Sequence, residues 1–594
     1  MINLIVSFAA FYIIRLDKNR AVSAGAGCGT HAAASSKVSG YDKGTRNAVL
    51  VAYGLSGFVA MAYEIIWTRV LQIQVGTSIY AFSIMLTLYL AGVGIGSIFG
   101  GRFVEKHRNA LSIFAYSQIF IAFYSIFGIY MLAGWRPSAD VLSGDFRFIS
   151  MLVRPSLVIF PVTFFLGVIF PAVSRIYVRD EAESGRGVGR IYAVNTVGCI
   201  LGSLVCGFIF IWLLGTRWTI IVLSAVNLMI GFSMLYRQFT GRKAASTRSY
   251  AAAGALILLL AALFSPDPFK ASIENLLHGP SGMENPGGKI YFHNEDTAAT
   301  TTVVSITGQP TGKVLLINGI GVTGLCTETK LMAHLPLLLH RSPEDMLVIC
   351  FGMGSTVRSA YLHKGLKIDI AELVPDAYKC IGYFHEDGPR IMKDPRIEPH
   401  VDDGRNFLLL SDKRYDVITI DPSPPICSSG TVNLYTSDFF KLCRDHLKDD
   451  GIMCLWLPPA PYSEGRMIVR SFYEVFPNVH IYKGVRYPGL YLIGFKDFQG
   501  IKTGRFFEAD MDGAIVADLN EYEDMVPTPG SIPDLLVLRP EQVAVFVDGA
   551  KPVTDDKPYT EFPIWRSFFD KTYLWRLDGN GLKAWRDTVF GQKD

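Results

Sequence analysis

Over the first 265 positions the chain is apolar almost throughout, broken at intervals by short polar connections. Stretches at about 47–67, 79–101, 110–133, 152–174, 192–214, 217–236 and 249–265 are each apolar enough to be membrane spans, which take roughly 17 to 25 residues. They predict a transmembrane domain of about seven helices over 47–265. The last stretch is the weakest, being short and Ala-rich. Residues 1–14 are apolar but too short to span, so 1–46 is read as an N-terminal extension that is interfacial or a mis-assigned start.

After Pro266 charges and turn residues return. Residues 285–325 alternate like short strands with turns, through Ala-Thr-Thr-Thr-Val-Val-Ser-Ile, Gly-Gln-Pro-Thr-Gly and Lys-Val-Leu-Leu-Ile-Asn-Gly, and predict a small β-rich subdomain. From 326 to 500 strands and helices take turns. A helix is expected at 329–340, then strands at 346–351, 366–371 (ending at Glu372), 415–420 (ending at Asp421) and 452–456. Such alternation predicts a parallel, doubly wound sheet. The expected fold is therefore a multi-span α-helical membrane domain followed by an α/β Rossmann-like domain of the class I methyltransferase type. Residues 501–594 form a C-terminal extension with aromatic-rich segments beginning at Trp565 and Tyr573, in which no chemistry is evident.

Composition supports the two-solvent picture: 50% of residues are hydrophobic, 18% are charged and mean hydropathy is +0.29, so part of the chain belongs in a lipid bilayer. The net charge of +3 and the lack of a Lys/Arg block with interleaved aromatics exclude a nucleic-acid partner. The nine cysteines form neither a CxxC pair nor a Cys/His cluster, so they read as buried thiols with no metal site. Basic residues crowd three connections: Arg102, Lys106 and Arg108; Arg175, Arg179, Arg186 and Arg190; Arg237, Arg242, Lys243 and Arg248. By the positive-inside rule these are cytoplasmic. A full crossing at 249–265 would then put the C-terminal domain outside. The marginal length of that segment favours a re-entrant or interfacial helix instead, with the domain cytoplasmic on a multi-pass inner-membrane protein. Runs of small residues, Gly92, Gly94, Gly96, Gly100 and Gly101, then Gly198, Gly202 and Gly207, suit close helix packing more than a transport path. Glu64 is the clearest intramembrane charge, with Arg69 as its expected partner near the interface. Oligomeric state is open, a homo-oligomer included.

Ligands of doubly wound sheets bind beyond the carboxyl ends of the strands. Gly352 and Gly354 let backbone approach a ligand after the first strand. Glu372, at the end of the second, is placed to accept ribose hydroxyls. Asp403, beside Asp402 and Gly404, is suited to an adenine amino group. Asp421 precedes a stiff Pro-Ser-Pro-Pro loop and could take a proton from an amine nucleophile. The bland alternative for each acid is a helix or loop cap.

The order of these segments resembles the spermidine synthase (polyamine aminopropyltransferase) family, in its membrane-fused branch. The resemblance covers about 290–500 and runs through Val-Ile-Cys-Phe-Gly-Met-Gly, Ile-Ala-Glu-Leu-Val, His-Val-Asp-Asp-Gly-Arg-Asn-Phe, Tyr-Asp-Val-Ile-Thr-Ile-Asp-Pro and Tyr-Pro-Gly-Leu-Tyr-Leu-Ile-Gly-Phe. It implies aminopropyl transfer from decarboxylated S-adenosylmethionine to a diamine such as putrescine, without a metal because a sulfonium is already an activated leaving group. Glu372 then matches the ribose-binding acid, Asp403 the adenine-binding acid, Asp421 the proton acceptor and Tyr487 a tyrosine of the amine channel.

The departures lie in the amine half. Met353 stands where the glycine-rich loop carries an Asp for the aminopropyl ammonium, Pro424 where a second Asp follows Asp421, and Glu328 and Thr329 replace an expected Tyr-His or Tyr-Gln pair. Cationic substrates need facing carboxylates in a poorly solvated pocket, and Glu328 or Asp402 could supply replacement charge. Two other readings stay open: an S-adenosylmethionine-dependent methyltransferase, and a non-catalytic nucleoside sensor on a transporter-like bundle.

Overall fold

The computed structural model describes residues 40–590 except 76–78, 108, 135–147, 179–183, 240–241, 278–287, 306–311, 423–425, 429, 498–511, 523–528, 564–565 and 567–575. The apolar segment 1–14, Pro424, Trp565 and Tyr573 lie outside the described residues.

The apolar stretches form α1 (Lys43–Val75), α2 (Ile79–Lys106), α3 (Ala110–Gly134), α4 (Phe148–Tyr177), α5 (Ser184–Val205), α6 (Ile211–Gln238) and α7 (Arg242–Phe264). Among the described residues, six helices are long and apolar enough to cross a membrane, with Ser184–Gln238 running as one of 55 residues. Gly215, at φ 69° and ψ 173°, breaks that length inside α6, so Ile211–Leu214 prolong α5 through its π-helical extension Cys206–Phe210 and the remainder of α6 starts at Thr216. The seven expected segments are therefore all present. The last differs from expectation. It is a 23-residue helix whose apolar part, Ser246–Phe264, is 19 residues long, so shortness no longer argues for a re-entrant turn.

Glycines set some of the helix contacts. A Cβ on Gly96 would sit 1.9 Å from the Phe164 carbonyl oxygen, and one on Gly198 1.9 Å from that of Gly54, so α2 with α4 and α1 with α5 pack backbone to backbone. Gly94, Gly101 and Gly207 face open space and take no part.

Beyond the amphipathic α8 (Pro268–Leu277), four antiparallel strands form the small sheet: β1 (Lys289–Glu295), β2 (Thr300–Ser305), β3 (Lys313–Ile317) and β4 (Ile320–Gly324). The turn between β3 and β4 is Asn318-Gly319, with φ 52° and 80°, as a two-residue hairpin demands. Next come α9 (Thr327–Leu339), β5 (Asp345–Ile349), α10 (Ser355–Tyr361), β6 (Lys367–Glu372), α11 (Pro375–Phe384), β7 (Ile397–Val401), α12 (Gly404–Leu410) and β8 (Tyr415–Ile420). They are followed by α13 (Ser437–Asp445), β9 (Leu447–Leu457), α14 (Tyr462–Val475), β10 (His480–Lys483), β11 (Leu490–Phe495) and β12 (Leu536–Leu538). The eight strands order as β12-β10-β11-β9-β8-β5-β6-β7. β7, β6, β5, β8 and β9 are parallel, and β11, β10 and β12 add antiparallel. β5, β8 and β11 are largely apolar and buried on both faces, the mark of a sheet covered by helices on each side.

The α/β domain and the bundle touch through β1 and the turn after it. Glu295 accepts hydrogen bonds from the Thr216 backbone N–H, 3.1 Å away, and from its hydroxyl, which caps the start of α6 just after the Gly215 break. Arg69, near the end of α1, donates to the Thr300 hydroxyl at 3.1 Å and to the Asp296 carbonyl. The expected partnership of Arg69 with Glu64 does not form among the described residues, and Arg69 reaches Thr300 and Asp296 instead.

Candidate active site

The carboxyl ends of β5, β6 and β7, together with Ser428, Thr431 and Leu434 further along the chain, meet the β3–β4 turn around a cleft of about 200 Å³. Its lining includes Ile317, Asn318, Cys350, Glu372, Asp403, Gly404 and Thr431.

Glu372 spans two loops. Its Oε2 accepts the Phe351 N–H at 2.8 Å and its Oε1 the Val374 N–H at 2.9 Å, leaving each oxygen a lone pair for a ligand. Burial pushes its carboxyl up, against the pull of those N–H groups. Asp403 caps α12: its Oδ1 accepts from the N–H groups of Arg405 and Asn406, both at 3.0 Å, and Oδ2 stays outside the cap. Capping therefore uses one oxygen of the side chain and leaves the other for a ligand. Gly404 is there for space, since a Cβ would lie 2.3 Å from Ile349 Cγ2. Gly352 and Gly354 have φ of 56° and 82°, the left-handed turn that carries the chain from β5 into α10.

Asp421 directly follows β8, half-buried and not among the residues that line the cleft, and burial pushes its carboxyl up to about 7. It lies within electrostatic reach of Cys350, Tyr435 and Tyr491. Cys350 ties the site together, because burial first and then Glu372, Asp421 and Asp403 hold its thiol well above the ordinary value. Cys350 also has a φ of 69°, rare for a residue with a side chain. From sequence it read as one ordinary buried thiol among nine. Its place directly after an apolar strand was the signal that could have singled it out.

Two expectations change. Asp402 does not line the cleft: its Oδ1 is spent within the β7–α12 turn, accepting from the Asp403 N–H and the Asn406 side chain, both at 2.8 Å. Met353, standing where a carboxylate was expected, is 2% exposed and packs against Val303, Leu315 and Leu325, fastening the small sheet to the α/β domain.

Glu328, in the first turn of α9, is buried. Its Oε1 accepts from the N–H groups of Arg486 and Tyr487, the latter at 2.8 Å, while Oε2 has no hydrogen-bond partner among the described residues. Tyr491 donates to the Glu328 carbonyl at 3.0 Å and senses the charge of both Glu328 and Asp421, so the two acids flank one phenol. Tyr487 is 42% exposed on the loop that Glu328 holds. Trp456 packs on Tyr491 with ring centroids 4.8 Å apart and adds an apolar wall.

A doubly wound α/β domain with acids at successive strand ends defines a class of ligand-binding domain, and comparison with known proteins narrows it. A family profile described as "Spermine/spermidine synthase domain" matches residues 325–464. The chain is 31% identical to the polyamine aminopropyltransferase of Bacillus subtilis over 217 residues, 34% of this chain and 76% of that one. It is 29% identical to the polyamine aminopropyltransferase of Thermotoga maritima over 227 residues, 36% of this chain and 75% of that one. The solved spermidine synthase from Thermotoga maritima aligns with a TM-score of 0.35 and 22% identity, over 44% of this chain and 87% of that one. The chain belongs to the spermidine synthase, or polyamine aminopropyltransferase, family.

Proposed function

We propose that this protein is a membrane-bound aminopropyltransferase that moves an aminopropyl group from decarboxylated S-adenosylmethionine to a polyamine such as putrescine. The observation that carries the reading is the placement of Glu372, Asp403 and Cys350 around one cleft, with Asp421 near enough to act on the Cys350 thiol. Glu372 would hold the ribose hydroxyls, and Asp403 the adenine amino group through Oδ2. The amine lone pair attacks the aminopropyl carbon next to sulfur. The C–S bond breaks with its electron pair left on sulfur, giving methylthioadenosine, and the proton of the new ammonium passes to Asp421. A carboxyl titrating near 7 is suited to that transfer at neutral pH.

Glu328 is the acid we assign to the acceptor's distal ammonium. An orphaned carboxylate oxygen in a buried site calls for a donor, and an ammonium supplies a charged one. Tyr487 and the Trp456–Tyr491 pair would line the intervening methylene chain. A second reading, methyl transfer from S-adenosylmethionine, is favoured by Met353, which leaves the donor-side loop without its acid.

The test is product analysis on the full chain in detergent, supplied with decarboxylated S-adenosylmethionine and putrescine. Methylthioadenosine and spermidine in equal amounts support the reading. Adenosylhomocysteine formed from S-adenosylmethionine, with no aminopropyl product, supports methyl transfer.

A further inference from the structure

Which side of the membrane the cleft faces can be read from the helix ends that the α/β domain touches. Those ends are the C-terminus of α1, through Arg69 to Asp296 and Thr300, and the N-terminus of α6, through Thr216 to Glu295. The C-terminus of α3 lies there too, since Asn275 and Ser272 of α8 donate to the carbonyls of Ala133 and Leu132 at 2.6 and 3.5 Å. At the other end of the bundle Arg175, closing α4, donates to the Val104 carbonyl near the end of α2 at 2.6 Å. Tyr41, before α1, receives the Leu111 N–H at the start of α3. Arg190 near the start of α5 reaches Tyr177 at 3.3 Å, and Arg248 in α7 reaches Tyr236 of α6 at 2.6 Å.

The basic connections belong to that second end. Arg102, Lys106 and Arg108 follow α2, Arg175 to Arg190 join α4 to α5, and Arg237 to Arg248 join α6 to α7. Lys43 and Arg46 open α1 there as well. The connections after α1 and α3 are poorer in net positive charge: residues 73–78 hold no Lys or Arg, 135–147 contain two Arg and two Asp, and the helix ends on that side add only Arg69, Arg154 and Arg217. α7 then carries the chain from the basic end to the domain end as a full-length helix.

We infer that the α/β domain and its cleft lie on the extracytoplasmic face of the membrane, reversing the cytoplasmic placement expected from the length of the last span. The inference rests on reading the bundle as membrane-spanning and on the excess of Lys and Arg in cytoplasmic connections. It does not depend on which reaction the cleft performs. It does constrain the reaction sequence: an adenosyl sulfonium made in the cytoplasm reaches this cleft only after an export step, and the amine acceptor is drawn from the outer compartment.

The test is cysteine accessibility in intact cells of a bacterial host. Lys364, whose side chain is 91% exposed on the α/β domain, and Lys106, exposed at the end of α2, are replaced one at a time as Lys364→Cys and Lys106→Cys. Each is compared with the parent chain for labelling by a membrane-impermeant maleimide. Labelling of Lys364→Cys in intact cells, with Lys106→Cys reacting only after permeabilisation, is the expected pattern. Protection of Lys364→Cys until permeabilisation overturns the inference. Recovery of the chain in the soluble fraction overturns the membrane reading beneath it. An active alkaline phosphatase fused after residue 594 checks the same side without any substitution. None of these readouts requires turnover, so failure of the aminopropyltransferase reading leaves them interpretable.

Discussion

Replacing Asp421 by Asn should raise stability at alkaline pH while removing activity. In the folded chain burial lifts this carboxyl from 3.8 to about 7. The folded state therefore holds its proton between these values while the unfolded chain has released it, so stability falls as pH rises through that window. At about 1.36 kcal/mol per unit, the ionisable side chain costs about 1 kcal/mol at pH 4.5 and about 4 kcal/mol at pH 8, as an upper bound. Asn keeps the shape and cannot ionise. Asp421→Asn should accordingly add little to Tm at pH 4.5 and several degrees at pH 8, at about 2–4 °C per kcal/mol for a domain of this size. Aminopropyl transfer should fall by 10²-fold or more, within the range of a lost general base, and the wild-type rate should climb with pH through about 7. Thermal denaturation of both chains in detergent at the two pH values, with initial rates alongside, reads out both effects. An equal Tm gain at both pH values, or a loss at pH 8, would refute the argument that the folded site resists ionisation of Asp421.

Two further perturbations probe the frame around the cleft. Gly404→Ala should cost about 1–3 kcal/mol by overpacking against Ile349 and weaken nucleoside binding, as thermal shift and calorimetry can show. His363, whose Nε2 lies 3.0 Å from His334 Nδ1 while His334 bonds Asp518, is held by burial first and by His334 at about 3, below its ordinary 6.5. The unfolded chain gains a proton there first, so stability is lost as pH falls from 6.5 toward 3. Between pH 7 and 5 this amounts to about 2 kcal/mol, and the Tm of His363→Phe should drop less over that interval than the wild type's.

The parts of the fold legible in the sequence were those with a strong local period. Short strand-like runs ending in Glu372 and Asp421 located the sheet and its ligand edge, because such runs are largely buried and ligands of doubly wound sheets bind beyond their carboxyl ends. The seven apolar segments were likewise visible from length and composition alone. What escaped depended on contacts between residues far apart in the chain. Arg69 stands five positions from Glu64 yet bonds Thr300, a separation of 231 residues that no local pattern reveals. Met353 showed the loss of an acid but not its new use as an apolar fastener for the small sheet. Asp402 and Asp403 are neighbours of identical type, and only the turn geometry gives one to the cleft and the other to the turn. The last span looked short because its polar first turns, from Arg242, are helical without being apolar.

The most direct test of the central claim is calorimetric titration of the full chain in detergent with methylthioadenosine, S-adenosylmethionine and decarboxylated S-adenosylmethionine, with Glu372→Ala as control. The account predicts that the decarboxylated form binds tightest and that Glu372→Ala abolishes binding of all three. Absence of binding by any of them, or binding that survives Glu372→Ala unchanged, would contradict it.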